Sequence, residues 1–262
     1  MPIVETILRN EAAFLFVLVR VASFMVAIPL MGGEGVPNMV KALIVFSLSV
    51  ILFQSLTQNK TIDLQSMTIV SLTAGLLGEV MIGLVIGLGV RMFFGAVSIG
   101  SEIIGIQMGF GAATLFDPVS NQQASVIAQF QGLIAMLIFL SINGHYFLIE
   151  ALIKSFEWVP SVGFYPSKEI INQLLRLGSG MFILGLKIGF PVILALLMTN
   201  IAIGVLARVV PTMNVLLFSF PVTISLGLLV MGASIPFFVS LLRGEISGFK
   251  TLFPQLLMGM KG

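Results

Sequence analysis

The chain has 262 residues, 58% of them hydrophobic and 9% charged, with a mean hydropathy of +1.12; that much apolar surface needs lipid or a large protein partner to cover it and excludes an ordinary soluble domain. Its 13 Lys and Arg against 11 Asp and Glu leave a net charge of +2, and the basic residues are scattered singly, which argues against the basic stripe that nucleic acid binding needs. Cys is absent and His145 is the one histidine, so disulfides, thiol nucleophiles and a His- or Cys-based metal shell have no residues to build them.

At the N-terminus, Glu5, Arg9 and Glu11 stand where a basic n-region and a short apolar run would mark a signal peptide. No cleavable signal is expected, and the chain is expected to enter the membrane through its own first helix. Apolar runs able to cross about 30 Å of hydrocarbon, about 20 residues each, follow at 12–31, 39–56, 67–99, 127–153, 181–207 and 213–242. Pro191 interrupts the fifth run, and Pro221 and Pro236 the sixth, so kinked helices or hairpins of shorter helices are predicted there. The predicted fold is an all-α membrane protein of long, kinked helices and helical hairpins.

Polar punctuation at 32–38, 58–60, 101–126 and 160–179 predicts the loops. Lys and Arg concentrate at the N-terminus, near Lys60, over 154–176 and after residue 242, which places both termini in the cytoplasm if all six runs cross. Glycines spaced by four, Gly83/Gly87 and Gly105/Gly109, put small residues on one helical face and let another backbone approach closely.

Arg20, Glu79, Arg91, Glu102, Glu150 and Lys187 fall inside or at the edge of apolar runs, where each costs about 2.5–3.5 kcal/mol at a helix centre unless it pairs or meets water. Two readings stay open for them, an ion path or buried pairs and interface anchors. His145 reads as a hydrogen-bonded structural histidine. The nearest serine turn, Gly178-Ser179-Gly180, lacks the spacing of an intramembrane protease, and neither a catalytic nor a cofactor site is expected.

The interval 101–126 has no Lys or Arg and turns at Asp117-Pro118 before a polar Ser120-Asn121-Gln122-Gln123. It is too apolar for a solvated loop. Such backbone at membrane depth is tolerated inside protein or along an aqueous path, and a buried inward loop closing a pore fits it. An amphipathic interfacial helix followed by a turn is the alternative.

Here the sequence resembles the FliR family of flagellar biosynthesis proteins, whose counterpart in virulence type III secretion is SctT. The resemblance rests on Glu102-Ile103-Ile104-Gly105-Ile106-Gln107-Met108-Gly109, Ala113, Asp117-Pro118, Asn143-Gly144-His145, and Pro160 with Gly163. Arg20 with Pro29, Val36-Pro37, Ala207-Arg208, Pro211, Asn214 and Phe220-Pro221 extend it over nearly the whole chain. Ser101, Tyr146 and Ser219 depart from the pattern, standing where Gly, His and Gly are expected. Membership implies a single pore-forming subunit in a hetero-oligomeric helical export gate with FliP-like and FliQ-like subunits, wrapped on its cytoplasmic side by a FlhB-like protein. That gate would sit in the flagellar basal body at the bacterial inner membrane, largely raised out of the membrane plane, and pass unfolded substrates, with energy supplied elsewhere. It further implies a FliP-like region over 1–167, a FliQ-like hairpin over 168–262, and a plug over 108–121. That plug would start at Met108; in it Phe110, Leu115 and Phe116 would supply apolar occlusion, and Asp117 and Pro118 the turn. The main rival is a secondary transporter of a small solute, with a midplane site built from broken helices.

Overall fold

The computed structural model describes residues 11–29, 36–57, 68–110, 126–160, 164–165, 167–211 and 214–260. Eight helices follow in order among them: α1 (Glu11–Ala27), α2 (Asn38–Thr57), α3 (Ile69–Met108), α4 (Val126–Ser141), α5 (Gly144–Trp158), α6 (Lys168–Val209), α7 (Val215–Ala233) and α8 (Ile235–Met258). The protein is an all-α membrane protein. By length and composition α3 and α6 can each cross a bilayer, and up to four spans result if the broken pairs α4–α5 and α7–α8 each count as one.

Two of the six apolar runs split. The fourth breaks at Asn143, whose φ of 59° ends α4 in the left-handed region; its N–H donates to the Leu140 carbonyl at 3.0 Å. Asn tolerates that conformation better than most residues. Gly144 must follow, because a Cβ there would meet the Phe139 ring at 2.5 Å. The sixth run breaks at Ser234, whose N–H donates to the Val230 carbonyl at 2.8 Å, and the pair bends by 54°. Pro236 is the second residue of α8, where a missing N–H leaves no hydrogen bond unmade. The interruption expected at Pro191 is not a break, since α6 runs through it.

Helices α3 and α6 extend well beyond their apolar runs. Helix α3 continues past residue 99 to Met108, because Ser101 satisfies its hydroxyl locally, at 2.6 Å from the Val97 carbonyl and 2.5 Å from Oε1 of Gln131. Helix α6 starts at Lys168 rather than near 181, so most of the loop expected over 160–179 is helical. Ser167 is its N-cap, accepting a hydrogen bond from the Ile170 N–H at 3.3 Å, and Glu169 sits in the first turn, where the helix dipole favours an acid.

The chain forms two compact units, one of Met1–Met92, His145–Leu177 and Gly248–Gly262, the other of Phe93–Gly144 and Gly178–Ser247. In the first, α1 lies on α3 at Gly83, where a Cβ would stand 2.5 Å from the Arg20 carbonyl and 2.8 Å from the Phe24 nitrogen. Phe16, Phe24, Phe53, Ile82, Ile86 and Leu152 fill its interior, and Phe14 packs edge-on to Phe53 at 5.6 Å. The end of α8 closes this unit: the Tyr165 N–H donates to the Met260 carbonyl at 3.0 Å, and the Ser167 hydroxyl to that of Gly259. In the second, α3 and α6 meet backbone to backbone at Gly100, where a Cβ would lie 2.5 Å from the Gly185 carbonyl.

Candidate functional site

The segment that leads into the unusual 111–125 stretch is the end of α3, and it is built as a helix stop. Gly109 takes a φ of 95°, a conformation an L side chain enters only at a cost of about 1–2 kcal/mol. Its N–H donates to the Ile106 carbonyl at 3.0 Å, and the Phe110 N–H reaches back to the Gly105 carbonyl at 3.0 Å. That pair of bonds is the Schellman arrangement, which pairs helix-end carbonyls otherwise left unmet.

The stop is anchored on α7. Thr223 donates its hydroxyl to the Met108 carbonyl at 3.0 Å. Gly227 leaves room for the Met108 side chain, since a Cβ there would meet its Cγ at 2.7 Å. Phe220 lies against Gly109, 2.7 Å from where a Cβ would stand. Met108 is fully buried in a cluster with Ile104, Ile127, Val192, Leu196 and Met231, whereas Phe110 is exposed. Ile127, one residue into α4, belongs to the same cluster, so both flanks of the 111–125 stretch are held by one apolar core. Leu115, Phe116, Asp117 and Pro118 lie outside the described residues.

The other singled-out residues fall into three groups. Gly105 is buried, while Glu102 and Gln107 are exposed on α3. Asn143 and Gly144 make the α4–α5 break described above. The buried Nδ1 of His145, just beyond, has no hydrogen-bond partner among the described residues, so the bond expected of this histidine is not made by that atom. Arg208, Pro211 and Asn214 form a stop and start: Arg208 lies in the last turn of α6, where the dipole favours a cation. Pro211 follows it, and Asn214 caps α7 by accepting from the Leu217 N–H at 3.3 Å.

Arg20 and Glu79 are both fully buried and paired in the first unit. The guanidinium donates to both carboxylate oxygens, to Ser155 Oγ at 3.1 Å and to the Val159 carbonyl at 2.9 Å, and it lies 4.1 Å from the Phe156 ring centre. Four of its five N–H donors are thus used within the unit. Glu150 pairs with Lys154 at an exposed position on α5. Arg91, Glu102 and Lys187 are exposed.

Sequence reading missed two features: the α3–α6 contact at Gly100, signalled by the four-residue spacing of Gly185 and Gly189, and the α7 anchor, since Thr223 and Gly227 belong to no motif that marks them. Gly105 and Gly109, by contrast, share the spacing, but Gly109 serves as the helix stop.

Residues 12–249 match the family described as bacterial export proteins, family 1. The chain is 32% identical over 219 residues to the flagellar biosynthetic protein FliR of Escherichia coli (strain K12), covering 84% of this chain and 82% of that protein. It is 32% identical over 248 residues to FliR of Aquifex aeolicus (strain VF5), covering 92% of each. With FliR of Bacillus subtilis (strain 168) it shares 30% identity over 222 residues, 84% of each chain.

Proposed function

The chain belongs to the family of bacterial export proteins, family 1, the family of the flagellar biosynthetic protein FliR, and on that premise we propose that it is a pore-forming subunit of the flagellar type III protein-export gate. It works in the bacterial inner membrane at the flagellar basal body, without catalysis, beside FliP-like and FliQ-like subunits and a FlhB-like protein on the cytoplasmic side. Unfolded flagellar proteins are its cargo. Residues 1–167 form the FliP-like part and 168–262 the FliQ-like hairpin. The start of α6 at Lys168, capped by Ser167, supports that boundary.

One observation carries the gating part: α3 stops at Gly109 and is tied to α7 through Thr223. A plug needs a root that does not move when the plug does, and a Schellman stop with its carbonyl bonded to a second helix supplies one. Phe110, Leu115 and Phe116 then occlude the channel, Asp117 and Pro118 turn the loop, and Met108 holds its base.

Membership in the gate is tested by purifying the tagged chain from its native membrane in mild detergent and measuring the intact mass and composition of the particle. One large particle with FliP-like and FliQ-like chains is expected. A stable particle of this chain alone overturns the gate and favours a small-solute transporter, for which the helix breaks at Asn143 and Ser234 would form the midplane site. Deleting residues 110–116 is expected to leave assembly intact and let small ions leak. Unchanged conductance in an assembled particle would sink the plug.

A further inference from the structure

Both broken helix pairs change the character of their outer side after the break. In α4 the exposed residues from Phe130 to Leu140 are Phe130, Leu133, Leu137 and Leu140, all apolar. Past the 67° bend, the exposed residues of α5 are Tyr146, Glu150, Lys154 and Glu157. The second pair repeats the change. Helix α7 carries no charge, and its Leu217 and Leu229 are 75% and 74% exposed. Within two turns of the break at Ser234, the outer side of α8 becomes hydrophilic: from Ser240 to Gln255 every exposed residue is polar or glycine, Arg243, Glu245 and Lys250 among them.

The inner sides of α5 and α8 are apolar and buried, with Leu148 and Leu152 on α5 and Leu242, Ile246, Phe249 and Phe253 on α8. One apolar side and one charged side is the pattern of a helix between a protein core and water. On α5, Tyr146, Glu150 and Lys154 recur every four residues and so share one face. Lys154 donates to Glu150 at 2.6 Å, with both side chains about half exposed, so pairing does not hide either charge from the surrounding medium. In the first unit the two polar sides adjoin, since Lys250 Nζ lies 4.9 Å from the centre of the Phe147 ring.

We infer that the joint surface of α5 and the end of α8 faces water in the working protein, on one side of the membrane, and that the chain turns out of apolar surroundings at Asn143 and just after Ser234. Hydrocarbon is the costliest neighbour for Glu150, Lys154, Glu157 and Lys250. The centre of a subunit interface is also depleted of such charges, whereas water accepts all four. Neither broken pair then crosses a bilayer as a single span, and of the described helices α3 and α6 keep the length and composition for that. Nothing in this placement depends on the export role, since exposure and charge alone carry it.

The chain has no cysteine, so single-cysteine variants of the full chain report one position each. Glu157→Cys and Thr251→Cys sample the polar surface, and Leu133→Cys and Leu229→Cys serve as apolar references. Sealed native membranes are treated with a membrane-impermeant maleimide from one side or the other, and labelling of the unfolded chain corrects for amount. Positions 157 and 251 are expected to label from the same side and about tenfold or more faster than the references, because a thiol reacts as its thiolate, which hydrocarbon does not support. Rates equal to the references, or labelling of 157 and 251 from opposite sides, overturn the placement. Labelling that begins only after partner subunits are stripped away also overturns it and assigns the surface to a protein interface. Hydroxyl-radical footprinting of the natural protein in its membrane needs no variant: Tyr146 is expected to be oxidised and Phe130 protected, and equal protection of the two overturns the placement.

Discussion

Arg20 on α1 and Glu79 on α3, fifty-nine positions apart, form a bidentate ion pair with no exposed surface on either side chain. Two charges removed from water stabilise a fold only when their remaining donors and acceptors are met. Ser155, the Val159 carbonyl and the Phe156 ring meet those of the guanidinium. Of the two readings left open by sequence, this arrangement favours a structural pair over an ion path, because a guanidinium committed to fixed partners is not free to relay an ion.

Removing one partner strands the other. Arg20→Ala or Glu79→Ala is expected to cost about 3–5 kcal/mol and to lower the yield and thermal midpoint of the protein in detergent. Replacing both by Leu should cost much less, since no charge is then left uncompensated. Equal losses in the single and double variants would show that packing volume, not charge, matters at this place.

The glycines divide into two classes with opposite expectations. Gly83→Ala and Gly100→Ala each push a methyl into a neighbouring backbone and are expected to destabilise the chain by about 1–3 kcal/mol. Gly180 has nothing within 4 Å of a Cβ, so Gly180→Ala should leave the chain as stable or up to about 1 kcal/mol more so. If the chain is unharmed and co-purifying subunits are nonetheless lost, a partner backbone lies against this part of α6. Thermal melts and subunit recovery measure the two effects separately.

The anchor of the 111–125 stretch can be loosened without touching the stretch. Thr223→Val keeps the shape and loses the bond to the Met108 carbonyl, a change of about 1 kcal/mol, and Gly109→Ala adds about 1–2 kcal/mol of backbone strain. Both are expected to leave assembly intact and raise ion leak through the assembled complex, read by conductance in a planar bilayer. Raised leak from the residue 110–116 deletion but not from these variants would mean that the stop shapes α3 without positioning the plug.

Lys187 stands exposed on α6 beside Phe182, Ile183, Leu186 and Phe190, which are all more than half exposed. Among the described residues it makes no ion pair. Facing lipid it costs about 2.5–3.5 kcal/mol, so an acid of a neighbouring chain is its expected partner. Lys187→Glu should then lower recovery of partner subunits about tenfold or more, whereas Lys187→Leu should lower it less. Equal recovery with Lys187→Glu, measured by quantitative mass spectrometry, would remove Lys187 from any such interface.

Helix existence was legible because each apolar run exceeded what a loop can carry, and each of the eight helices overlaps one of the six runs. The ends were harder to read. Ser101 looked like punctuation, but its hydroxyl is satisfied by the turn below and by Gln131, and α3 passes straight through. Residues 168–179 looked like a polar connector, but Ile170 is buried while its neighbours are exposed, and the segment is the first part of α6. Pro191 and Pro236 look alike in sequence, yet only Pro236 stands at a helix start.

By itself the sequence determined the all-α membrane class, the family, and the residues most in need of explanation, because hydropathy and motif identity are properties of the chain read in one dimension. Only the tertiary structure decided which charges pair, which glycines are contacts and which are stops, and what holds the end of α3. Arg20 with Glu79, Gly100 with Gly185, and Met108 with Thr223 are separated by 59 to 115 positions. At such separations periodicity carries no signal, and packing alone selects the partner.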